Sequence, residues 1–133
     1  MKESEELELV ITADADTEAT TTSSNSVIKL IAHNSRSLNM VNLHATAAML
    51  ELHSPTLFLA SETWNMKENI TAHQDYSCIL SKPCKYEGCA IFYKKELDIR
   101  PYKEEKWTQN YIFAKMDNTI VIAIYLNPRN PKE

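Results

Sequence analysis

Pro55-Thr56-Leu57-Phe58-Leu59-Ala60-Ser61-Glu62-Thr63-Trp64 is the stretch that decides how this chain folds. Leu57 to Ala60 is a short apolar run with the length and bulk of a strand buried on both faces. It stops at a carboxylate, Glu62, flanked by Ser61 and Thr63 and followed by Trp64. Open α/β sheets bind ligands beyond the carboxyl ends of their strands, so an acid placed there faces a cleft. Its oxygens suit a hard cation such as Mg²⁺. Acids are also common at strand ends that simply meet solvent, and the local pattern leaves both readings open.

Upstream of this run, Val27-Ile28-Lys29-Leu30-Ile31-Ala32 is a β-branched stretch fit for a strand. His33-Asn34-Ser35-Arg36-Ser37-Leu38 leads from it to Asn39, a residue type that caps helices. Residues 40–53 follow as a helix, with Met40, Leu43, Ala47 and Leu50 at three- and four-residue steps on its core face. Ser54-Pro55 ends it. Strand, helix and strand within about 35 residues make a βαβ-like opening.

Downstream, the pattern turns antiparallel. Residues 76–80 and 89–94 read as strands around a loop that holds Gly88, the single glycine of the chain. A lone glycine at a strand start predicts a positive φ or a backbone contact too close for a side chain. Residues 97–100 suit a short edge strand. Residues 111–116, the pair Asp117-Asn118 and residues 119–125 read as strand, turn and strand, a hairpin. One helix on a mixed, β-branched sheet gives an α/β or α+β layer.

Composition frames these elements. A chain of 133 residues with 44% hydrophobic and 24% charged side chains is sized for one globular domain. No stretch approaches the roughly 20 apolar residues of a membrane span. Seven acids against Lys2 give residues 1–26 a net charge of −6, which leaves +2 for residues 27–133 in a chain of net −4. Residues 17–26 are nearly all Thr, Ser, Ala, Glu and Asn, so residues 1–26 are expected to form a flexible acidic leader. Glu8-Leu9-Val10-Ile11-Thr12 has strand character, set against its acidic surroundings. Residues 27–133 form the expected folded domain, and a charge of +2 falls short of a decisive nucleic-acid patch. Cys78, Cys84 and Cys89 lack a CxxC spacing and predict free thiols in a reducing, intracellular setting.

Taken in order, the motifs resemble the amino-terminal half of the endonuclease/exonuclease/phosphatase superfamily, and most closely the endonuclease domain of LINE-type retrotransposons. Residues 31–38, Ile-Ala-His-Asn-Ser-Arg-Ser-Leu, are similar to the family's first strand and its W-N-x-R-S-L turn. Ser61-Glu62-Thr63-Trp64 is similar to T-E-T-W, and Gly88-Cys89-Ala90-Ile91-Phe92-Tyr93-Lys94-Lys95 to G-V-A-I-x-x-K. Ile122-Ala123-Ile124-Tyr125 with the prolines after it is similar to I-Y-R-P-P. The resemblance implies part of a four-layer α/β sandwich and an ancestral Mg²⁺-dependent hydrolysis of DNA phosphodiester bonds. It implies Glu62 as metal ligand, Asn34 as the residue that orients metal ligands and phosphate-side groups, and Tyr125 beside the scissile phosphate. It also implies DNA as partner and, for a retroelement descendant, the nucleus.

The departures count equally. His33 stands where the family has Trp, and the tyrosine–proline motif is scrambled into Tyr125-Leu126-Asn127-Pro128-Arg129-Asn130. The family's G-D-x-N and S-D-H motifs do not follow Tyr125, and His73-Gln74-Asp75 lies in the wrong place to replace them. Losing a positioned general base costs about 10²–10⁴ in rate. The expectation is therefore a truncated domain, inactive alone, with the face of residues 119–125 exposed for self-association or for a partner. The competing expectation is a non-catalytic α/β module that binds another protein.

Overall fold

The computed structural model describes residues 7–12, 17–23, 26–35, 38–64, 71–81, 87–108, 110–116 and 119–124. Its centre is the strand β4 (Leu57–Ser61), every residue of which is buried. On one side β4 pairs in parallel with β3 (Ser26–Asn34), in a register that sets Leu30 opposite Leu57 and Asn34 opposite Ser61. On the other it pairs antiparallel with β6 (Cys89–Lys94), which in turn pairs with β5 (Tyr76–Leu80). A strand covered on both edges and both faces has no polar side, which is why its sequence is an unbroken apolar run.

The helix α1 (Met40–His53) crosses from β3 to β4. Asn39 caps it, its side chain accepting from the Asn42 amide at 2.9 Å, and Ser54 closes it in a left-handed conformation (φ 44°) with its N–H on the Leu50 carbonyl. Leu50 and Leu43 pack with Leu38, Ile31, Phe58, Ala60, Ala90 and Phe92 on the helix side of the sheet. The Phe58 and Phe92 rings meet edge to face at 6.0 Å.

The other face of this sheet packs against a second one, made of β7 (Ile99–Pro101), β8 (Tyr111–Met116) and β9 (Thr119–Ile124). Leu30, Leu57, Leu59 and Ile91 meet Ile112, Ala114, Val121 and Ala123 between the sheets. Alternation decides the faces: Leu57 and Leu59 point between the sheets, Phe58 and Ala60 toward the helix. The described residues thus form a mixed α/β sandwich of helix, sheet and sheet, as the resemblance implied. The exposed inner face expected for residues 119–125 is corrected: Val121 and Ala123 are buried against the first sheet, because one chain segment supplies both layers.

The acidic leader expected over residues 1–26 also differs. Two segments inside it are strands. β1 (Leu7–Thr12) runs parallel to β9, with Leu7 opposite Thr119 and Thr12 opposite Ile124. β2 (Thr17–Ser23) runs antiparallel to β3, with Thr17 opposite Ala32. Each ends its sheet: the orders are β1-β9-β8-β7 and β2-β3-β4-β6-β5. Runs rich in Thr, Val and Ile favour extended backbone, and each of these strands takes an edge position, paired on one side only. Among the described residues no helix is long and apolar enough to cross a membrane. Cys78 and Cys89 are free thiols, while Cys84 lies outside the described residues.

Candidate functional site

The parallel pair β3/β4 brings Asn34 and Glu62 together at its carboxyl end. Asn34 Nδ2 donates to Glu62 Oε2 at 2.9 Å. Glu62 is only 6% exposed, so its carboxylate is held by protein groups rather than spread into solvent. Its backbone is left-handed at φ 55°, and that of Trp64 at φ 51°. A non-glycine residue in that region costs about 1–3 kcal/mol and persists only where its surroundings fix it.

The fixing groups can be named. The Ser35 amide donates to the Ser61 carbonyl at 2.9 Å. The Ser35 hydroxyl reaches the Ser61 carbonyl at 2.8 Å and the Glu62 carbonyl at 3.2 Å. Asn42 Nδ2, from the first turn of α1, donates to the Ser35 carbonyl at 3.1 Å, and the Leu38 amide to the Thr63 carbonyl at 3.3 Å. From the other side, the Trp64 amide donates to the Glu87 carbonyl at 2.8 Å and the Thr63 amide to Gly88 at 3.4 Å. Gly88 has φ 111°, and a Cβ there would stand 2.3 Å from Thr63 Oγ1. The lone glycine thus has both properties its position predicted. Its bare Cα lets the turn that carries Glu62 lie against the start of β6.

Among the groups that hold the Glu62 carboxylate is the Asn34 amide. Among the described residues no three His, Cys, Asp or Glu side chains gather as a metal cage. The donors described at this end of β4 are oxygens, the kind a hard divalent cation takes.

Tyr125, expected beside a phosphate, is outside the described residues. His33 points to the helix side, its ring tilted over Phe58 at 6.0 Å. His73 sits at the opposite end of β4 from Glu62. It packs edge to face on Tyr76, whose hydroxyl donates to the Pro55 carbonyl at 2.5 Å. Its Nδ1 accepts the Asp75 amide at 3.0 Å, so Nε2 carries the proton toward Glu51 Oε1 at 2.7 Å. The seven steps from Pro55 to Glu62 span roughly 23 Å as extended chain, which keeps His73 out of the site. Sequence reasoning missed Ser35 and Asn42; only their place in the turn after the first strand and in the first turn of the helix marked them.

No family model matches the chain, and no curated protein matches it. Solved structures do. The 3′ phosphatase NExo from Neisseria, solved with a product DNA hairpin, superposes with a TM-score of 0.55 at 19% identity over 73% of this chain and 40% of its own. An AP endonuclease from Archaeoglobus fulgidus gives a TM-score of 0.50 at 20% identity over 69% and 38%. The chain shares the α/β fold of these two structures. It spans about two-fifths of the length of these two structures. In this fold Asn34 ends β3 and Glu62 directly follows β4, adjacent strands of the helix-covered sheet.

Proposed function

We propose that the chain descends from a retrotransposon endonuclease of the LINE type and keeps the metal-holding part of a phosphodiesterase site. The observation that carries this reading is the Asn34–Glu62 hydrogen bond at the carboxyl end of the β3/β4 pair. Glu62 would hold Mg²⁺, whose chemistry is to polarise a phosphoryl oxygen and to make a bound water acidic. Asn34 keeps one carboxylate oxygen engaged and so sets the direction of the other. Tyr125 would donate its phenolic proton to charge developing on the phosphate. The partner is DNA, and the compartment that follows from this ancestry is the nucleus.

On the same reading the chain alone does not turn over. With Glu62 committed to the metal and Asn34 neutral, this pair supplies no separate general base, and the one His–Asp pair of the described loops, His73 with Asp75, faces the far end of β4. The alternative is a non-catalytic module that binds protein, favoured by the exposed outer side of α1, where Val41 and Leu52 are 74% and 77% exposed.

Two measurements test the proposal together. Mn²⁺ binding, followed by the loss of its free-ion EPR signal, should be weak and should fall at least about tenfold in Glu62→Gln, a loss of roughly 1.4 kcal/mol. Supercoiled plasmid with Mg²⁺ should remain unnicked by either protein. Binding indifferent to Glu62→Gln overturns the metal reading. Nicking that disappears in Glu62→Gln overturns the claim of inactivity.

A further inference from the structure

α1 is apolar on two sides. Its inner side, through Leu43 and Leu50, belongs to the core. Its outer side carries Val41, Ala45, Ala48 and Leu52, all exposed, at steps of four, three and four residues. That spacing places them in one line along the helix, roughly opposite the core stripe. Val41 and Leu52 are the exposed large hydrophobic residues of the described chain, and both belong to this line. An ordinary surface helix keeps this side polar.

The order of sizes along the line is large, small, small, large. It reads the same in either direction. A half-turn about an axis through the middle of the stripe sets Val41 against Leu52 of a second copy and Ala45 against its Ala48. This is the reciprocal pairing that a two-fold interface requires. The two alanines at the centre let the helix axes approach closely, toward the lower end of the usual 8–10 Å. The flanking polar residues obey the same symmetry. His44 and Glu51 stand seven residues apart on one border of the stripe, both exposed. The half-turn brings the imidazole of each over the carboxylate of the other. Glu51 Oε1 accepts from His73 within its own chain, and a carboxylate has a second oxygen that can accept from another donor.

We infer that the outer face of α1 is a self-recognition surface, on which a second copy of this chain docks its own α1 antiparallel. It lies on the helix layer, apart from Glu62, and does not depend on the metal reading. A helix of 14 residues is about 21 Å long. A contact of that length falls below the area of standard interfaces and makes a transient dimer that dissociates on dilution.

Sedimentation equilibrium of the full chain, from low to high micromolar concentration, should show a reversible monomer–dimer equilibrium. Leu52→Lys should weaken it at least about tenfold. Circular dichroism should be unchanged in that variant, since the side chain is largely in solvent. His44→Glu, which would set like charges against each other, should weaken the dimer severalfold, whereas His44→Lys should preserve it. Orientation is read by cross-linking. Val41→Cys and Leu52→Cys chains should give a disulfide-linked dimer on mixing and none separately beyond the unsubstituted protein. A chain monomeric throughout, or a dimer indifferent to Leu52→Lys, overturns the inference. Cross-links in the separate preparations overturn the antiparallel pairing.

Discussion

Gly88 shows how one residue without a side chain can place another that has one. Its φ of 111° and the 2.3 Å that would separate its Cβ from Thr63 Oγ1 are distinct constraints, one on backbone and one on space. Gly88→Ala should therefore cost on the order of 1–3 kcal/mol in urea unfolding, and should loosen the turn that presents Glu62. Adding Thr63→Ala to it should return only the part due to the collision, so the two changes should couple in a double-mutant cycle. Equal, additive losses would show that Thr63 does not feel the added methyl. The glycine was legible in the sequence because a lone Gly before a strand has few other reasons to be there. Glu62 was legible as an acid after a buried run. Ser35 was not, since a hydroxyl in a loop has no pattern of its own, and only the folded register reveals that it binds two carbonyls of another strand.

At the scale of elements, apolar periodicity and capping decided most of the reading. The helix over residues 40–53, its Asn39 cap and its stop at Ser54-Pro55 are found as the spacing predicts, as are the strands over residues 76–80, 89–94 and 111–116. β1 and β2 escaped, because strands at the edge of a sheet need neither alternation nor a core face. The strands β5 and β6 carry a further consequence for pH. Burial pushes the thiols of Cys78 and Cys89 upward, Cys89 to about 12 despite an opposing hydrogen bond from Ser81. Burial, with the charges of Glu96 and Asp75, pushes Tyr76 to about 12. All three are neutral in the fold and ionise more readily once unfolded. Below the ordinary thiol pKa of about 9 they leave stability unaffected, and above it the unfolded chain gives up protons first. The urea midpoint should be level from pH 7 to about 9 and fall beyond it. Cys78→Ala should make that fall shallower; an unchanged slope would remove Cys78 from the cause.

At the scale of the whole molecule, the strands of the acidic segment close two open edges. β1 covers the free side of β9 and β2 the free side of β3. Deleting residues 1–25 should uncover both ladders and make the protein associate through them. Light scattering should rise with concentration in the shortened protein, and Leu52→Lys should not suppress it. A shortened protein as soluble and as stable as the full chain would show that the edges are safe without their cover.

The pairing of β1 with β9 also sets a clock. Leu7 and Thr119 are neighbours in the sheet but are made far apart in time. At 5–20 residues per second, a ribosome needs roughly 6–22 s to pass from one to the other. The helix and the central strands can gather while synthesis continues, but the second sheet waits with an unpartnered strand. A nascent chain held in that interval offers its edges to chaperones and to other nascent copies. Slow codons placed between β8 and β9 would lengthen the exposure without altering a single amino acid of the product.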